Sequence, residues 1–188
     1  MNNPLIILTE LDSYLQRETR VVLYGRAALA LGFTPSGATM GVTTDVDVIL
    51  PSLEMAAIEA DRQFWQALEK TNAALDSQGL YMTHLFTDEQ VVLTPDWLDN
   101  IVRIPIPAIR RLQVFRPCTV DLILTKMMRE DPQDADDIQF LLRQEQIPPA
   151  LLAEAFARAR VPPLPEIRRT FLKLQPAVLK LAGGFSTL

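Results

Sequence analysis

Hydrophobic positions follow two different periods along the chain, and the switches between them mark its elements. From Pro4 to about Arg20, Leu5, Leu8, Leu11 and Leu15 recur at three- and four-residue spacing, the apolar stripe of an amphipathic helix expected to pack on a sheet. Val21-Val22-Leu23-Tyr24 is a short β-branched and aromatic run that stops at Gly25, which predicts a buried strand. An Ala/Leu helix follows over Arg26–Leu31. Gly32, Pro35, Gly37 and Gly41 then predict a flexible loop before a second strand over Thr44–Leu50.

Ser52 is placed to cap one long helix whose apolar face runs through Leu53, Ala57, Ala60, Phe64, Leu68 and Leu75 for about six turns. Beyond Gly79, the runs Leu80–Phe86, Gln90–Leu93 and Leu112–Phe115 have strand character, with Pro95-Asp96-Trp97-Leu98 as a turn or short helix. After Pro117 the pattern becomes helical: Val120–Arg129, Gln133–Arg143, Ala150–Arg160 and Glu166–Leu181, separated by prolines, with Gly183-Gly184 opening a frayed tail. This order predicts an α/β (α+β) fold: a mixed β-sheet flanked by helices over residues 1–117, and a C-terminal helical annex over residues 118–188.

Composition narrows the chemistry. Nearly half of the 188 residues are hydrophobic, enough for a well-buried core. No apolar run approaches the roughly 20 residues of a membrane span and the first residues lack a secretion signal, so the expected location is cytoplasmic. The single cysteine, Cys118, excludes an internal disulfide, and the single histidine, His84, argues against a Cys/His zinc cluster. A bound metal is therefore expected to rest mainly on oxygen ligands. The net charge of -5 disfavours wholesale coating of nucleic acid. Residues 1–100 carry 5 Lys/Arg against 14 Asp/Glu, however, and residues 101–188 carry 13 against 9. In the basic half, Arg103, Arg110, Arg111, Arg116, Arg158, Arg160, Arg168 and Arg169 read either as a surface for phosphates or an acidic partner, or as solvated faces.

Side chains alternate along a strand, so Asp45 and Asp47 share a face while Val46, Val48 and Leu50 point to the core. Two carboxylates about 5 Å apart repel by roughly 3 kcal/mol at an effective dielectric of about 20, and a cation between them reverses that penalty. Mg²⁺ suits such a pair, since it is held by one or two carboxylates together with substrate phosphates. The same two residues read equally as solvated aspartates on an exposed face. Gly25 reads either as a plain strand-to-helix turn or as a point of close phosphate approach at a helix N-terminus. His84 reads as a half-buried residue or as a ligand on its strand. Phe64, Trp65 and Trp97 are expected in the core, and Met127-Met128 in a helix interface.

A strand ending in Gly25, a short helix, a Gly-rich loop and then Thr44-Asp45-Val46-Asp47-Val48-Ile49 resembles the signature of the nucleotidyltransferase superfamily. Downstream, Asp121-Leu122-Ile123-Leu124-Thr125-Lys126-Met127-Met128-Arg129 and Asp134-Ala135-Asp136-Asp137-Ile138 are similar to the helical part of its AbiEii-like, toxin-type branch. The resemblance covers roughly residues 20–142. It implies a site in which Asp45 and Asp47 hold Mg²⁺ (or Mn²⁺), while Gly25, Arg26, Lys126 and Arg129 face a nucleoside triphosphate. Lys126 and Arg129 are expected on one helix face, as are Asp134 and Asp137. Asp134 either orders Lys126 or accepts a proton, and the charged residues from Lys126 to Asp137 read also as ion pairs joining two helices.

Two departures from the pattern stand out. Arg26 occupies a position where the family has a small Ser or Gly, and the strand that could supply a third carboxylate offers His84 instead. The implied activity is transfer of a nucleotidyl group from a triphosphate to an RNA or protein hydroxyl, in a bacterial toxin–antitoxin or phage-defence setting with an antitoxin as partner. The alternative is a catalytically inactive nucleotidyltransferase-like module that binds RNA or a partner protein.

Overall fold

Strands β1 (Thr19–Tyr24), β2 (Asp45–Leu50), β3 (Tyr81–Thr87), β4 (Val102–Arg103) and β5 (Leu112–Arg116) form one sheet in the order β3-β2-β1-β5-β4. The sheet is mixed: β1 runs antiparallel to β2 and parallel to β5, β2 runs parallel to β3, and β4 runs antiparallel to β5. The computed structural model describes residues 2–33 and 43–185. Its contacts divide into two units, Met1–Thr87 with Ile101–Arg116, and Asp88–Asn100 with Pro117–Leu188. No helix among the described residues is long and apolar enough to cross a membrane.

The first unit holds the sheet with helices α1 (Asn3–Tyr14), α2 (Gly25–Gly32), α3 (Met55–Ala60) and α4 (Arg62–Leu75). The expected α/β architecture of a helix-flanked mixed sheet is therefore present. The first helix is shorter than its leucine spacing predicts. It ends at Tyr14, its buried side is Pro4, Ile7, Leu8, Leu11 and Asp12, and Thr19 and Arg20 leave the helix to pair with Leu112 and Gln113 of β5. Asp12 accepts hydrogen bonds from the backbone N–H groups of Arg110 (3.1 Å), Arg111 (2.7 Å) and Leu112 (2.6 Å), which fixes the entry to β5 against α1. Burial alone would raise this carboxyl, but the three N–H donors and the charge of Arg111 hold it below the usual aspartate range.

The single six-turn helix expected after Ser52 is broken. Ser52–Glu54 is a 3₁₀ turn without a side-chain cap, and Leu53 is 95% exposed rather than part of the core. Between α3 and α4, Asp61 leaves helical geometry and accepts a hydrogen bond from the N–H of Phe64 at 3.1 Å, so it caps a new helix. Arg17 pairs with it at 2.5 Å. The buried face of α4 is Phe64, Ala67, Leu68, Thr71 and Leu75. From that helix Asn72 exchanges two hydrogen bonds with the backbone of Met82, at 2.8 and 3.0 Å, and so anchors β3. The loop expected between Gly32 and Val42 lies almost wholly outside the described residues.

The second unit holds α5 (Thr119–Thr125), α6 (Pro132–Gln144), α7 (Pro149–Arg158) and α8 (Pro165–Phe185), with a 3₁₀ turn over Trp97–Asn100. Pro132, Pro149 and Pro165 sit in the first turns of their helices, where a missing N–H costs no intrahelical bond. Gly183 and Gly184 continue α8 rather than opening a frayed tail. The expected strand Gln90–Leu93 does not form: Val91, Val92 and Leu93 are buried here, and Leu93 makes one isolated bridge, to Arg160. Trp97 is buried as expected, its indole N–H donating to Asp88 at 3.1 Å, and Arg160 also reaches Asp88 at 3.4 Å. The helix expected over Val120–Arg129 stops at Thr125, so Lys126 and Arg129 do not share a helix face.

Candidate metal and nucleotide site

The first unit holds five of the candidate residues, Gly25, Arg26, Asp45, Asp47 and His84, on or just after β1, β2 and β3. Asp45 and Asp47 lie on one face of β2, with side chains 32% and 24% exposed, while Val46 and Val48 on the other face are buried. The Thr43 hydroxyl donates to Asp45 Oδ1 at 2.7 Å, and Asn3 from the start of α1 donates to the Thr43 carbonyl at 3.0 Å. Asp45 is thereby aimed by a residue that lacks any motif of its own.

Gly25 begins α2 with φ of +64°, a conformation that side-chain-bearing residues rarely adopt. A Cβ there would also lie 2.9 Å from Asp47 Oδ2. Glycine is thus required twice, by the backbone and by the carboxylate packed against it. The start of α2 and the Asp47 carboxylate consequently occupy the same small region, with Tyr24 directly opposite Asp47 in the sheet. Arg26, the next residue, is half-buried in the first turn of α2.

His84 joins the two aspartates because β3 is irregular. Asp45 pairs with Tyr81 and Asp47 with His84, so three steps on β3 match two on β2. The extra residue rotates His84 onto the carboxylate face; in regular register Asp47 would oppose Thr83 and His84 would oppose the buried Val48. His84 Nδ1 lies 3.1 Å from Asp47 Oδ1 and 3.7 Å from Asp45 Oδ2, with the Thr83 hydroxyl at 3.4 Å. Its ring stacks on Phe86 at 5.8 Å and 17°, and Phe86 meets Tyr24 edge-on at 5.7 Å. One potential ligand atom from each of Asp45, Asp47 and His84 lies within 4.8 Å of the other two. Neighbouring ligands of one octahedral ion at about 2.1 Å stand about 3 Å apart, so this donor set fits a divalent cation.

The remaining candidates converge in the second unit. Lys126, at the C-cap of α5, donates to Asp134 Oδ1 at 2.9 Å and to Asp137 Oδ2 at 2.6 Å. Arg129 Nε adds a 2.5 Å bond to Asp134 Oδ2. Lys126, Asp134 and Asp137 are all buried, and the two aspartates share one face of α6 as expected from their three-residue separation. Next to them in sequence, buried Asp121 accepts from the Thr94 N–H (2.7 Å), the Thr94 hydroxyl (3.1 Å) and Cys118 Sγ (3.3 Å). Burial raises the Asp121 carboxyl despite those bonds. Burial and the neighbouring Asp121 charge push the Cys118 thiol up to about 11, which keeps it protonated near neutral pH.

Sequence reasoning found Asp45, Asp47 and Gly25 and named His84, but it missed Thr43, Tyr24 and Phe86 as its supports. Hydroxyl and aromatic residues are common in strands and carry no spacing signal. Arg116, read as a surface cation, is instead buried over the Phe33 ring, with its guanidinium carbon 4.1 Å from the ring centroid.

A family described as "Nucleotidyltransferase of unknown function (DUF6036)" matches residues 5–157. No curated protein and no solved structure matches the chain.

Proposed function

The chain belongs to this nucleotidyltransferase family, and from that premise we propose that it moves a nucleotidyl group from a nucleoside triphosphate to an RNA or protein hydroxyl. The observation that carries the reading is the meeting of Asp45, Asp47 and His84 beside the glycine that opens α2. Asp45 and Asp47 would hold Mg²⁺ or Mn²⁺. When bound, the cation supplies charge neutralisation of the triphosphate and polarisation at the reacting phosphorus.

The protein's own part is positioning and electrostatics. Gly25 lets the start of α2 lie against the Asp47 carboxylate, so the helix's first backbone N–H groups and positive dipole end would meet phosphate oxygens beside the cation held there. Arg26 in the same turn adds positive charge. The acceptor hydroxyl loses its proton to solvent as its oxygen bonds to the α-phosphorus, the bond to the bridging oxygen breaks and pyrophosphate leaves. Asp134, held by both Lys126 and Arg129, supports the role of ordering Lys126 rather than taking a proton.

The resemblance of the segments around Lys126 and Asp134 to AbiEii-like proteins supports a toxin-type role with an antitoxin partner. Incubating the protein with each labelled triphosphate, Mg²⁺ or Mn²⁺, total RNA and cell protein tests the activity. Label should move to one acceptor class with wild type and not with Asp47→Asn. Equal labelling by both proteins would contradict the proposed role of Asp47, and no labelling with any triphosphate would favour the inactive binding module.

A further inference from the structure

We infer that His84 is the third ligand of the cation site, through Nδ1, and that its imidazole turns the site toward a first-row transition ion such as Mn²⁺ in preference to Mg²⁺. The inference rests on the reading that Asp45 and Asp47 hold a cation. It goes further in naming the ion class and the residue that selects it.

Three features of the structure carry it. The register shift in β3 is what brings the ring to the carboxylates, since regular pairing would put His84 beside Val48 on the buried face. Phe86 stacks on the ring and fixes its plane, and Tyr24 backs Phe86 in turn. Nδ1 stands 3.1 and 3.7 Å from one oxygen of each aspartate, spacings that suit adjacent positions around one ion. Bulges of this kind re-aim side chains at functional sites.

The chemistry of the donors then sets the preference. Mg²⁺ is a hard ion that favours oxygen and gives up water reluctantly, so an imidazole nitrogen adds little to its binding. First-row transition ions accept imidazole readily while keeping carboxylate ligands. An all-oxygen triad offers no nitrogen donor to favour the transition ion, and a histidine in place of the third acid introduces one.

A rival role fits the same distances: His84 as an ion-pair partner that competes with a cation for the carboxylates. The two roles predict opposite effects of removing the ring. As a ligand, His84 strengthens transition-ion binding; as a competitor, it weakens the binding of every cation.

His84 is the chain's only histidine, which makes the test direct. Pulsed EPR of the Mn²⁺-loaded protein, in buffer without nitrogen ligands, should show coupling to a directly bound imidazole nitrogen. The coupling should be absent in His84→Ala. By calorimetry, His84→Ala should bind Mn²⁺ about tenfold or more weakly and Mg²⁺ within about twofold of wild type. His84→Asp, which restores an all-oxygen set, should narrow the Mn²⁺/Mg²⁺ affinity ratio by about tenfold.

Wild type that binds Mn²⁺ with no nitrogen coupling would overturn the inference, provided Asp45→Asn and Asp47→Asn still abolish binding; the carboxylate site would then stand without His84. Tighter binding of both ions to His84→Ala would overturn it in favour of the competitor role. Mn²⁺ binding that is absent, or indifferent to Asp45→Asn and Asp47→Asn, would remove the underlying metal site as well.

Discussion

Asp45 and Asp47 stand two residues apart on a strand with side chains 32% and 24% exposed, whereas Asp134 and Asp137 stand three apart on a helix with side chains 4% and 1% exposed. Both spacings put like charges side by side. In the helical pair the chain supplies the counter-charge itself, through Lys126 and Arg129. In the strand pair the Thr43 hydroxyl donates to Asp45 at 2.7 Å, and His84 Nδ1 lies 3.1 Å from Asp47 and 3.7 Å from Asp45. The helical pair is neutralised by a buried lysine, whereas the strand pair holds ligand atoms within 4.8 Å of each other and of the His84 ring, a spacing that suits a cation. Asp12 illustrates a third solution, a buried carboxylate stabilised by three backbone N–H groups.

The sharpest way to break this contrast is to remove Lys126. Lys126→Met leaves Asp134 and Asp137 buried without their shared ammonium group, and should destabilise the protein by about 3–5 kcal/mol in urea unfolding. A loss under about 1 kcal/mol would mean that the helical cluster is solvated after all. Gly25→Ala comes next, with an expected cost of about 1–3 kcal/mol from the positive φ. Because the new methyl group would press on Asp47 Oδ2, cation affinity should fall as well. Asp47→Asn should change folding stability by less than about 1 kcal/mol, since it removes a partly exposed charge from a like-charged pair. The same substitution should nevertheless abolish cation binding.

The smallest effect concerns pH. The folded Asp12 carboxyl lies below its ordinary value of 3.8, so the unfolded chain takes up a proton first as pH falls. The stability it contributes is complete above about pH 4 and is lost as pH drops through the folded value. Asp12→Asn should show a shallower acid limb than wild type in unfolding measured at successive pH values. An unchanged acid limb would show that Asp12 is not the carboxylate responsible.

Much of the fold was legible because it follows from side-chain periodicity. The run Val21–Tyr24, the alternation through Asp45–Leu50 and the punctuating prolines each correspond to an observed element. The misses come from effects with no periodic trace. Asp61 breaks a helix by offering its carboxylate to the N–H of Phe64, although the apolar stripe continues past it. Gln90–Leu93 is apolar like a strand, yet its residues serve the core of the helical unit. The two-residue β4 is too short to produce a pattern.

At the site, Asp45 and Asp47 were visible because strand alternation places them together. The position of His84 was not visible, since an irregularity in β3 decides which face it joins. For Lys126 the resemblance implied phosphate contact while the residues also read as ion pairs joining two helices, and the geometry of α6 places two aspartates against it.

The central claim, that Asp45 and Asp47 form a cation site for a nucleoside triphosphate, is tested most directly by calorimetry. Each of ATP, CTP, GTP and UTP would be titrated with and without Mn²⁺ into wild type, Asp45→Asn and Asp47→Asn. The account predicts binding of at least one triphosphate that requires the ion and disappears in both variants, with their folding intact. Binding that persists in both variants, or that is the same with and without the ion, would contradict it.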